Sequence, residues 1–85
     1  MLNQPLKISI ERKPEVLKRT GFSRSTLHNR VNQGLFVPPI SLGARAVGWP
    51  DHEITELLRA MISGTSPDGI KQLVISLIDS RQAPP

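Results

Sequence analysis

The segment Thr20-Gly21-Phe22-Ser23-Arg24-Ser25-Thr26-Leu27-His28-Asn29-Arg30-Val31 constrains the fold of this chain more than any other. Gly21 can take the positive backbone angle that ends one helix at little steric cost, so a second helix can start at an angle to the first. Ser23 then offers its hydroxyl to the orphan amides of that second helix, and Gly34 provides its stop. At about 100° per residue, Leu27 and Val31 fall together and point inward. Ser25, Asn29 and Asn32 group on the opposite side, flanked by Thr26 and His28. That outward face is short, polar and free of carboxylates. Asn can pair bidentately with adenine, Ser and Thr bond to base edges or phosphates, and Arg24 at the exposed start can reach a guanine or a phosphate. A short polar helix after a tight turn suits the major groove of DNA.

Charge points the same way. The net charge is +4 over 85 residues, but it is unevenly spread. Residues 1–49 carry Lys7, Arg12, Lys13, Lys18, Arg19, Arg24, Arg30 and Arg45 against only Glu11 and Glu15. From residue 50 onward, Asp51, Glu53, Glu56, Asp68 and Asp79 outnumber Arg59, Lys71 and Arg81. The positive half is therefore the half with the candidate recognition helix, and a polyanion binding there would release counterions. The basic residues do not lie on a strongly apolar amphipathic helix, which argues against a membrane surface. No apolar run approaches the roughly 20 residues of a membrane span, and the first five residues lack the pattern of a signal peptide. The expected location is the bacterial cytoplasm, in association with the nucleoid.

The length accommodates one small domain over residues 1–85. With no cysteine and two isolated histidines, His28 and His52, neither a disulfide frame nor a metal site is expected. Lys7 to Ile10 reads as a short edge strand or an extended lead-in. Pro14 suits the first residue of a helix ending near Thr20, with Val16 and Leu17 inward. After Gly34, Leu35-Phe36-Val37 leads into Pro38-Pro39, which keeps the backbone extended. Ile40-Ser41-Leu42 and Val47-Gly48-Trp49 then read as two strands joined by Gly43-Ala44-Arg45-Ala46, a small hairpin. Arg45 at its tip can touch a phosphate or enter the minor groove. Trp49 reads as core filler.

Pro50 opens a third helix that Gly64 closes, with Ile54, Leu57, Leu58, Met61 and Ile62 at helical spacing. Ser66-Pro67-Asp68 starts a fourth, with Ile70, Leu73, Val74, Leu77 and Ile78 inward to about Ser80. Both stripes read chiefly as completing the core, and apolar area left over on the last helix would serve self-association through those five residues. Residues 81–85 read as a frayed tail. No phosphate loop, paired catalytic carboxylates or triad stands out, so neither an enzyme nor a cofactor-dependent protein is expected.

Taken in order, Glu15-Val16-Leu17, Thr20 to Leu27, Gly34-Leu35-Phe36-Val37-Pro38 and Leu42-Gly43-Ala44-Arg45-Ala46-Val47-Gly48-Trp49 resemble the AlpA-type prophage regulators, small relatives of the excisionase and MerR winged-helix proteins. The resemblance covers about residues 8 to 62 and leaves residues 66–80 as an added C-terminal helix. It implies a mainly helical, winged helix-turn-helix fold with a small β-hairpin. It also implies double-stranded DNA binding as a phage or integrated-element transcriptional regulator, or as an excisionase that bends DNA and directs an integrase. An integrase or a host DNA-bending protein is the partner implied. On this reading Ser23, Arg24, Ser25, Thr26, His28 and Asn29 face the major groove. Arg45 acts from the wing, and Lys18, Arg19 and Arg30 meet phosphates. The competing reading is a protein-interaction module that binds an integrase or polymerase subunit through its last helix.

Overall fold

The computed structural model describes residues 7–82. Its elements run β1 (Ile10–Glu11), α1 (Lys13–Thr20), α2 (Arg24–Asn32), β2 (Ile40–Gly43), β3 (Ala46–Pro50), α3 (Asp51–Ile62) and α4 (Pro67–Ser80). Four helices thus accompany a three-stranded antiparallel sheet in the order β1-β3-β2. The hairpin read from the sequence is present, and β1 adds a third strand to it. Pairing of Ile10 with Pro50 and Glu11 with Trp49 places that strand one turn of chain later than the expected Lys7 to Ile10.

Local chemistry accounts for the helix boundaries. In α1 the backbone amide of Arg12 donates to Glu15 Oε1 at 3.0 Å, and Pro14 sits at the second helical position rather than the first. Gly21 ends α1 in the left-handed region at φ 76°, its amide donating to the Leu17 carbonyl. Ser23 caps α2 by accepting from the Thr26 amide at 3.1 Å. At the far end, Gly34 at φ 77° lies one residue beyond the cap Gln33. The Gly34 amide reaches the Val31 carbonyl and the Leu35 amide reaches that of Arg30, the paired bonds of a Schellman turn. The hairpin turns through only Ala44 and Arg45, both residues between the strand ends, with Gly43 and Ala44 at positive φ. The turn is therefore shorter than the four-residue Gly43 to Ala46 loop expected.

One core holds all of this together. Val16, Leu27, Phe36, Val37, Trp49, Ile54, Leu57, Ile70 and Val74 form a single buried cluster. Trp49 fills its centre, and its indole Nε1 donates to the Val37 carbonyl at 2.9 Å, so the ring's one polar atom is satisfied on burial.

Two expectations need correcting. Ile62 fits the helical spacing of α3, yet it is 85% exposed because α3 ends there, beyond the reach of the core. Arg81 is not frayed. Its guanidinium grips the Glu53 carboxylate through Nε at 2.9 Å and Nη2 at 2.5 Å, and Nη2 also donates to the Pro38 carbonyl at 2.8 Å. Glu53, in the first turn of α3, is 1% exposed and compensated by that arginine. Of the tail, residues 83–85 lie outside the described residues. The apolar stripe of α4 packs within the chain. Ile70 and Val74 are buried in the core, and Leu73, Leu77 and Ile78 pack half-buried against it. No helix among the described residues is long and apolar enough to cross a membrane.

Candidate nucleic-acid interface

The helix α2 divides as its spacing requires. Leu27 is buried and Val31 is half-buried, which anchors the helix to the core. On the other side Ser23, Arg24, Ser25, Thr26, His28, Asn29 and Asn32 are all exposed. Among the described residues, α2 and its cap carry no acidic side chain, so nothing on this face repels a phosphate backbone. The face also has internal order. Ser23 Oγ donates to Thr26 Oγ1 at 2.9 Å while accepting the Thr26 amide, and it lies 3.3 Å from Ser25 Oγ. Asn32 Nδ2 and His28 Nε2 are 3.2 Å apart, one turn of helix along the same face. The side chains of Arg24 and Asn29 make no hydrogen bond or ion pair among the described residues and are free to meet a ligand. They stand at the start and middle of the helix.

The basic residues around this face fall into two groups. Lys18 on α1 and Arg45 in the hairpin turn are exposed and make no hydrogen bond among the described residues. Arg19 and Arg30, grouped with them on sequence grounds as phosphate partners, are engaged inside the fold. Arg19 pairs with Glu11 Oε2 at 2.7 Å and donates from Nη2 to Thr55 Oγ1 at 2.9 Å, joining α1 to β1 and α3. Arg30 lies half-buried with its guanidinium 5.2 Å from the centre of the Phe22 ring, a cation–π distance, and its Nη2 is 3.6 Å from Met61 Sδ. Its Nε is buried without a hydrogen-bond partner among the described residues. Phe22 in turn meets Phe36 edge-to-face with centroids 6.0 Å apart. These arginines secure α1 and α2 against the rest of the molecule. Net sequence charge does not distinguish such roles, because both depend on residues distant in the chain.

One functional candidate had no sequence signal. Arg12 donates from Nε to the Val47 carbonyl at 2.9 Å, linking the start of α1 to the hairpin. Nothing in the local pattern Glu11-Arg12-Lys13-Pro14 announces a bond across 35 positions.

The family model of the prophage CP4-57 regulatory protein, AlpA, matches residues 9–61. The chain belongs to this AlpA family of prophage regulatory proteins. The matched span runs from β1 to the end of α3, so α4 lies beyond it. A curated relative, uncharacterized protein ORF88 of Enterobacteria phage P4, is 40% identical over 53 residues, covering 62% of this chain and 60% of that protein. The chain thus aligns with about 60% of the length of the curated relative it matches. No solved structure matches the chain.

Proposed function

We propose that this protein binds double-stranded DNA sequence-specifically as a winged helix-turn-helix regulator, acting on transcription or on excision of an integrated element. In this reading α1 and α2, joined through Gly21, form the helix-turn-helix, and the β2–β3 hairpin is the wing. Arg24, Ser25, His28 and Asn29 read base edges in the major groove, with Ser23 and Thr26 beside them at the helix start. Arg45 acts from the wing, and Lys18 neutralises a phosphate. Arg19 and Arg30 act indirectly by holding the helices in place. The observation that carries the reading is the exposed, carboxylate-free face of α2, whose Arg24 and Asn29 have no intramolecular partner. Membership of a family of prophage regulatory proteins supports a regulatory role.

Selection of duplexes from a randomised pool, followed by affinity measurement across a salt series, tests the proposal. The expected result is a recurrent sequence whose binding weakens by orders of magnitude between about 50 and 200 mM salt, as counterion release requires for several phosphate contacts. Affinity that hardly changes with salt, or a pool that yields no recurrent sequence, would refute it.

A further inference from the structure

The β2–β3 hairpin projects beyond the part of the sheet that β1 supports. β1 pairs with β3 only through Trp49 and Pro50, so from Val47 to the turn the hairpin is two-stranded. Its ladder is also irregular, with a register shift between Ser41 and Gly43. A two-stranded hairpin standing alone is marginally stable in water. Continuing the antiparallel register from Ile10–Pro50 and Glu11–Trp49 would bring residue 13 opposite Val47. The chain instead turns into α1 at Lys13, and no backbone amide of β1 is left for the Val47 carbonyl. The Arg12 side chain fills that place. Its Nε donates to Val47 O at 2.9 Å, while the same residue's amide is held by Glu15 and its carbonyl accepts from the Val16 amide.

From this geometry we infer that Arg12 is a positioning residue that sets the angle of the hairpin, and with it Arg45, relative to α1 and α2. The inference rests on the proposed DNA-binding reading. Arg12, the residue between β1 and α1, extends the β1 ladder by one side-chain bond. Because α1 passes directly through Gly21 into α2, the same bond ties the wing's direction to that of the recognition helix. Two DNA contacts held at a fixed separation bind more tightly than two that must each be ordered on binding.

A double-mutant cycle tests this. Arg12→Gln, Arg45→Ala and the double variant would be titrated with a duplex selected from a randomised pool, at several salt concentrations. Hydrogen exchange of the hairpin amides would be followed in the free proteins. The expected result is that each single change weakens binding by roughly fivefold, the scale of one lost hydrogen bond, and that the double variant is no weaker than Arg45→Ala alone. Exchange at Gly43 to Val47 should quicken in Arg12→Gln while α2 keeps its protection. Additive losses, with the salt slope falling by about one unit for each arginine, would identify Arg12 as a direct phosphate ligand and overturn the inference. Unchanged hairpin exchange would overturn it equally. Failure of the wild-type chain to bind any duplex would refute the DNA-binding reading alone, because the exchange measurement still decides whether Arg12 braces the hairpin.

Discussion

At the scale of single residues, engagement rather than charge separates the basic side chains. Arg24, Lys18 and Arg45 are exposed without partners among the described residues, whereas Arg19 is held by Glu11 and Thr55 and Arg30 by Phe22. Replacing Asn29 or Ser25 by Ala should reduce discrimination between the selected and scrambled duplexes by about 1–3 kcal/mol, the value of a good base contact. Lys18→Ala should instead weaken all duplexes about equally and lower the salt slope by about one unit. Competition titrations with both duplexes separate the two outcomes. Equal losses on both duplexes for Asn29→Ala would remove it from the reading face. Arg81 carries the largest single-residue stability prediction. Arg81→Met strands the buried Glu53 carboxylate, and breaking such a pair costs about 3–5 kcal/mol in urea unfolding. Adding Glu53→Met should restore most of that loss, since an apolar pair of similar volume needs no desolvation. If the single variant lost under about 1 kcal/mol, Glu53 would have to be reached by water.

At the scale of elements, the boundaries depend on caps that act over three or four residues, which is why they were legible in the sequence. Ser23, Gly34, Ser66 and the prolines stand where the helices begin and end. Gly21→Ala introduces a Cβ that meets nothing within 4 Å, so its cost is conformational: about 1–2 kcal/mol for an alanine held in the left-handed region. Denaturant unfolding would register that cost. A loss of DNA affinity well beyond it would mean that the turn angle itself is read by the groove. Ser66→Ala removes the cap bond to the Gly69 amide and should cost about 1 kcal/mol. Periodicity was less dependable at helix ends. Ile62 continues the spacing of Ile54 and Met61, but as the last residue of α3 it is left exposed while Met61 still packs on the core.

For the whole molecule, the question is what α4 contributes. It lies outside the span matched by the AlpA family, yet Ile70 and Val74 complete the core and Arg81, just after it, neutralises Glu53. A chain ending at Gly64 would lose Ile70 and Val74 from that cluster and leave Glu53 without Arg81. It should therefore lose cooperative thermal unfolding by circular dichroism. A sharp transition near that of the full chain would show that the family-matched part folds without α4. α4 thus shares one buried core with the family-matched part.

The order of the helices, their caps, the hairpin and the burial of Trp49 follow from the sequence by itself, because each depends on neighbours a few residues away or on a period of 3.6 or 2. The polar face of α2 was legible for the same reason. Only the tertiary structure decided which cations are free and which are structural. The bonds from Arg81 to Glu53, Arg12 to Val47 and Arg19 to Thr55 span 28, 35 and 36 positions. No local pattern encodes such partners. They become neighbours only when the core closes, and closure turns three apparently similar arginines into a clamp on a buried carboxylate, a brace for the hairpin and a tie between helices.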